Sequence, residues 1–272
     1  MHSEARLSVV HHAGHSVLSE SFASSPFKFM SLPNTALKWG ETDLLDVMQM
    51  CSSPGFLAGD ELDMSVVVQP QAGLYLHNQS FTRILSMNAG QRARQSMHVQ
   101  LHPNSRLCYL PSPLVLHQSA HFEQTATIEL ATDCRLIWGE IMASGRHLRD
   151  EHFAFSQLSA YTRINLNGRA LLIDNIQWQP HIHTLSALGQ MEDFSHQSSW
   201  YCVNTSATGV DTTLLDELFA YLEQAMAQSA HTVLLGISQP RAEIIVIRGL
   251  AHHAEQLQEI LAQCQKIVLN AA

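Results

Sequence analysis

One strand-turn-strand phrase recurs three times, and it restricts the possible folds more than any other feature of the chain. The copies are Val68-Gln69-Pro70-Gln71-Ala72-Gly73-Leu74-Tyr75-Leu76, Leu101-His102-Pro103-Asn104-Ser105-Arg106-Leu107-Cys108-Tyr109 and Leu130-Ala131-Thr132-Asp133-Cys134-Arg135-Leu136-Ile137-Trp138. Each ends one apolar strand, turns at Pro70, Pro103 or Thr132, and starts another, with the turns 33 and 29 residues apart. A period of this kind marks units that stack, because one unit cannot bury its apolar face alone. The fold class it predicts is mainly β, a layered, repeat-like and β-helix-like array. Loops after each return strand then emerge on a common side, and functional residues are expected there.

The flanking sequence agrees with strands. Leu62, Met64, Val66 and Val68 alternate with polar residues, as do Met97, Val99 and Leu101, which is the period of half-buried strands. Asn167-Gly168 between Tyr161-Leu166 and Arg169-Asp174 is a strong hairpin signal. After Thr208 the pattern changes. Asp211 or Thr212 is placed to cap a helix running to about Gln228, with Leu214, Leu215, Leu218, Phe219 and Leu222 as its stripe. A strand pair follows over 232–238 and 243–248, then a helix from about His252 to Val268 with Leu257, Ile260, Leu261 and Cys264 inward. The organisation expected is one domain over 1–272: a β body to about residue 207, and a small α/β C-terminal part with two helices from about 208, packed on it.

With 46% hydrophobic and 14% charged residues, the chain has enough apolar material for a real core. The net charge of −9 and the lack of a basic stripe argue against nucleic acid. No segment reaches the length of about 20 apolar residues that a membrane span needs, and a cytoplasmic location is expected. Five scattered cysteines without a C-x-x-C pair indicate neither disulfides nor a zinc site.

Catalytic motifs fail on inspection. Gly236-Ile237-Ser238-Gln239-Pro240 begins like a nucleophile elbow but lacks the second glycine and the following helix. His147-Leu148-Arg149-Asp150-Glu151-His152 resembles an H-x-x-E-H zinc motif with its first histidine one position early, so a helix would split the pair between faces. Seventeen histidines remain. His98 with His102, or His181 with His183 on one strand face, are the pairs that offer weak metal contact.

The stretch before the first repeat then becomes informative: Ser53-Pro54-Gly55-Phe56-Leu57-Ala58-Gly59-Asp60-Glu61-Leu62-Asp63, and later Asn78-Gln79-Ser80-Phe81-Thr82-Arg83. With Leu110-Pro111, Trp138-Gly139-Glu140, Gly145-Arg146, Glu151, Phe153, Gly236-Ile237-Ser238 and Arg248 in order, the chain resembles the UreD (UreH) family of urease accessory proteins. Phe56, Arg83 and Asp150 stand where that family usually has glycine, lysine and glycine. The residues themselves leave Asp60 either as a turn cap or as a carboxylate facing a cavity, and Glu140 near the same loop layer.

The resemblance implies a non-enzymatic maturation factor without a tightly bound cofactor. It binds apo-urease, recruits UreF and through it the GTPase UreG, with a possible dimeric assembly through UreF, and passes nickel(II) along an internal route. Asp60, Glu140 and Glu151 are then route candidates, and Gly55, Gly59, Thr82, Arg83 and Arg146 loop-contact candidates. The alternative from another class is a β-array metalloenzyme or unrelated metal-binding module using the histidine pairs with loop carboxylates.

Overall fold

The structure, a computed structural model, describes residues 1–33, 37–146 and 149–271. The chain begins with β1 (His2–His12), β2 (His15–Ala23), β3 (Phe27–Leu32), the short β4 (Lys38–Trp39) and β5 (Thr42–Asp43), and β6 (Leu45–Cys51). The first repeat gives β7 (Glu61–Val68) and β8 (Gly73–Asn78), followed by β9 (Thr82–Ile84) in the return loop. The second gives β10 (Ala93–Leu101), β11 (Arg106–Tyr109) and β12 (Leu114–Leu116), and the third β13 (His121–Leu130) and β14 (Arg135–Ala143). β15 (Gln157–Leu166), β16 (Arg169–Trp178) and β17 (His196–Asn204) complete the body. The C-terminal part is α1 (Thr212–Gln228), β18 (Val233–Arg241), β19 (Ile244–Ala251) and α2 (Ala254–Asn270).

The three phrases stack in register, as their spacing requires. Val68 pairs with Leu101, and Leu101 with Leu130, through parallel β7, β10 and β13. Across the turn Leu74 pairs with Leu107, and Leu107 with Leu136, through parallel β8, β11 and β14. Each turn places one residue at positive φ, Gln71 at 65°, Asn104 at 61° and Asp133 at 59°. The result is two facing sheets, ordered β16-β15-β13-β10-β7-β1-β2 and β18-β19-β17-β14-β11-β8-β6-β3. The expected hairpin forms at Asn167-Gly168, both at positive φ, between antiparallel β15 and β16.

Two different burial regimes explain two sequence patterns. The first sheet buries only its inner face, so Met97 and Val99 are covered while His98 and Gln100 are exposed. The middle of the second sheet is covered on both sides, which is why Leu107-Cys108-Tyr109 and Leu136-Ile137-Trp138 are continuous apolar runs. Leu107, Tyr109, Leu136 and Trp138 enter the core between the sheets. Cys108 and Ile137 instead join Leu218, Leu257 and Cys264 in a second core under the helices.

The C-terminal part continues the second sheet. β19 pairs with β17 and β18 with β19, while α1 packs on β18 and α2 on β14, β17 and β19. Asp211 caps α1, its carboxylate accepting from the Thr213 amide at 3.0 Å. Leu214, Leu218 and Leu222 are buried, whereas Phe219 of the expected stripe faces outward.

Leu107 lies in the middle rung of the stack and is fully buried between Leu74 and Leu136. Leu107→Ala is expected to cost about 2–5 kcal/mol in urea unfolding, whereas His98→Ala on the open face should change stability by less than about 0.5 kcal/mol.

Candidate functional site

A cavity of about 110 Å³ opens between the sheets at the end where the return loops gather. The loop leaving β8 supplies Asn78, Thr82 and Arg83, and the loop leaving β11 supplies Pro111 and Ser112. These loops stack as the strands do. Phe56 bridges to Ile84, and parallel β9, β12 and the end of β14 follow beside it. Polar side chains reach the cavity from inward positions of the body: Gln95 on β10, Gln124 on β13 and Glu140 on β14. Asp60 lines it where the chain enters β7.

Gly55 must be glycine. A Cβ there would stand 2.4 Å from the carbonyl oxygen of Arg83, and the close approach brings the Phe56 amide to that oxygen at 2.8 Å. Phe56 is buried, with ring centroids 6.0 Å from Phe27 and 5.2 Å from Phe122. It anchors the loop to the inter-sheet core. Gly59, at a φ of +77°, turns the chain so that Asp60 meets the cavity. Both readings of Asp60 hold together: one oxygen accepts from the Leu57 amide at 2.8 Å as a turn cap, and the other accepts from the amino group of Met1 at 3.0 Å.

Glu140 sits deeper in this wall. Protein surrounds it, and its remaining exposure is toward this cavity and a second one of about 250 Å³, which lies under α2 and is lined by Tyr75, His77, Gln258 and Gln265. Gln124 donates to it at 3.1 Å. Burial, followed by the charge of Asp174, pushes its pKa up to about 7. Glu140 also begins a polar row: it is the strand neighbour of Ser199 on β17, and Ser199 of Arg248 on β19. Arg248 donates to Asp174 of β16 at 2.7 Å, and the Tyr201 hydroxyl donates to the same carboxylate oxygen. Burial acts to raise Asp174, but the bonds from Arg248 and Tyr201 outweigh it and hold its pKa below the ordinary value.

Glu151 takes no part in the cavity wall. Its carboxylate accepts from the Arg146 guanidinium at 2.8 Å and from the Gln118 amide at 3.3 Å, and the Arg146 bond lowers its pKa. Arg146 and Glu151 therefore close their own loop. His181 and His183 do not share a strand face: beyond Pro180 the chain curls, the amides of Ile182 and His183 both bonding to the Gln179 carbonyl. His98 is exposed on the outer face of β10, and His102 sits in the turn after it. Among the described residues no group of three or more His, Cys, Asp or Glu is placed to hold a metal. His147 of the zinc-like motif lies outside the described residues, and Gly236-Ile237-Ser238 lies within β18, where no strand-to-helix elbow forms.

Gln95, Gln124, Asp174 and Tyr201 were not anticipated. Gln95 and Gln124 do carry a signal, since each is polar at an inward position of an alternating strand.

Two outcomes test this geometry. The unfolded chain sheds the Glu140 proton near 4.5 and the folded chain only near 7, so this group lowers stability progressively as pH rises between those values. Glu140→Gln, which can still accept from Gln124, should be more stable than the parent above pH 7 by up to about 3 kcal/mol, with the difference vanishing below pH 4.5 in denaturant titrations. Gly55→Ala should cost about 1–3 kcal/mol by thermal melting because the Arg83 backbone must move, exceeding Gly59→Ala, which pays only for its φ.

Comparison with known proteins places these features in context. The profile of the family described as UreD urease accessory protein matches residues 1–272. A urease accessory protein UreD of Actinobacillus pleuropneumoniae serotype 5b (strain L20) is 41% identical over 256 residues, covering 94% of this chain and 92% of the relative. One of Haemophilus influenzae (strain PittEE) is 39% identical over 261 residues, with 94% of each covered. The match runs through the glycine loop, the stacked repeat and the helical C-terminal part alike, and the chain belongs to the UreD family of urease accessory proteins.

Proposed function

We propose that this protein is a non-enzymatic maturation factor that binds apo-urease, joins UreF and through it UreG, and assists delivery of nickel(II) to the urease metal centre. The reading rests on family membership, and one structural observation supports it most: Glu140 lines both the inter-sheet cavity and the cavity under α2. Pro111 and Ser112 are likewise shared, so polar surface continues through the second sheet at the end of β11.

The residues suit brief contact with a cation in transit. A carboxyl group with a pKa of about 7 gives up its proton when a divalent cation approaches and recovers it when the cation leaves. Gln95, Gln124 and Asn78 add neutral oxygen donors without the fixed charge that would trap the ion. Asp60, on the wall formed by the Gly55 loop, supplies a second carboxylate. Nickel is cargo in this scheme, with no resident cofactor. Assembly as a dimer through UreF and a cytoplasmic location complete the proposal; no helix among the described residues is long and apolar enough to cross a membrane.

Co-expression of urease, UreF and UreG with and without this chain is the direct test. Omitting it should leave urease made but poorly loaded with nickel, by metal analysis of the purified enzyme. Asp60→Ala with Glu140→Ala should cut nickel content about tenfold while leaving complex formation intact. Full nickel loading without the chain rejects the function, and full loading with the double variant removes these carboxylates from the route.

A further inference from the structure

The end of β8 sends its side chains to different faces of the second sheet. Leu74 and Leu76 enter the core between the sheets, so Tyr75 and His77 project from the opposite face, toward α2. There His77 lines the cavity of about 250 Å³ together with Glu140, Gln258 and Gln265. Its Nε2 lies 3.0 Å from Asp46 Oδ1, and its ring stacks on Tyr75 with 5.0 Å between centroids. Asp46 is the strand partner of Tyr75 and is buried.

A carboxylate only accepts, so the ring nitrogen facing it carries the proton, and Nδ1 of the neutral imidazole keeps its lone pair. This is how a metal-binding imidazole is oriented: one nitrogen donates to a carboxylate, which fixes the tautomer and makes the other nitrogen the better ligand. Asn78, the next residue, lines both cavities. Its amide nitrogen donates to the Thr82 hydroxyl at 3.2 Å, while its amide oxygen is buried without a hydrogen-bond partner. No Lys or Arg stands in the wall under α2, so a cation there meets one carboxylate, one imidazole and neutral oxygens. That mixed donor set suits nickel(II) or zinc(II) better than magnesium or calcium. Among the described residues no group of three His, Cys, Asp or Glu is placed to hold a metal, so water completes the coordination and the ion is held briefly.

We infer that His77 is a ligand for a divalent transition cation on the α2 side of the second sheet, with Asp46 as its positioning residue and Asn78 as the oxygen donor shared by the two cavities. Cargo that passes Glu140 then emerges beneath α2. This rests on the reading of nickel(II) as cargo, and it adds the side chain that receives the ion and the face on which it emerges.

The test adds nickel(II) alone to the full chain. His77→Gln keeps a donor for Asp46 but removes the imidazole, and it should weaken nickel binding about tenfold in equilibrium dialysis. Asp46→Asn still accepts from Nε2 but no longer fixes the tautomer, and it should weaken binding by a similar factor. His98→Ala, on the open face of β10, should leave affinity unchanged. In protein labelled with heavy nitrogen at histidine, substoichiometric nickel(II) should broaden the His77 resonances first. The same spectra should show His77 protonated on Nε2 in the parent and as mixed tautomers in Asp46→Asn, a change that a merely structural pair would not link to nickel affinity. Circular dichroism melting verifies that the variants fold. Parent-like affinity in both variants overturns the proposal alone, as does broadening of His98 and His102 as early as His77, which would mean adventitious surface binding only. Urease fully loaded with nickel in a strain lacking the chain overturns the cargo reading and this proposal together.

Discussion

The in-register stacking of Val68, Leu101 and Leu130 against the ladder of Leu74, Leu107 and Leu136 is the constraint from which the remaining structure follows. Shifting one strand by a single residue would turn every inward side chain outward, so the apolar alternation fixes the register strongly. Once the registers are fixed, the turns share one end and the return loops share the other. That second end is where the cavity forms. Phe56 extends the same apolar core beneath the glycine loop, so loop geometry depends on core packing and not on local preference alone.

Against this apolar background, the polar row from Glu140 through Ser199 to Arg248 stands out. Isolated carboxylates are costly between sheets, and Asp174 and Glu140 are handled differently. Asp174 keeps its charge because Arg248 and Tyr201 bond to it. For Glu140, burial and the charge of Asp174 outweigh the charge of Arg248 and the Gln124 amide, so its proton is retained to near neutrality. The fold thus stabilises one fixed charge at its edge and one exchangeable charge beside the cavity.

Much of the fold was legible in advance. The repeat, the Asn167-Gly168 hairpin and the Asp211 cap each rest on short-range chemistry, and each is found where that chemistry places it. The site was less legible. Gly55, Gly59, Asp60, Thr82, Arg83 and Glu140 meet at or beside the cavity, but Glu151 is diverted to Arg146, and His181 and His183 lie on a curled segment. A sequence gives the donor types along a strand, while the partner that claims each donor comes from a distant strand.

The sequence by itself determined the stacked β body, its strand periods, its helices and its family, because these follow from local periodicity, turn chemistry and ordered motifs. Only the tertiary structure decided that Leu107-Cys108-Tyr109 divides between two cores and that Glu140 borders two cavities. The physical reason is that burial and electrostatics belong to neighbours brought together by the sheets. Gln124 and Glu140 are 16 residues apart in the chain, and Asp174 and Arg248 are 74 apart, yet each pair is a direct hydrogen bond once the sheets face one another.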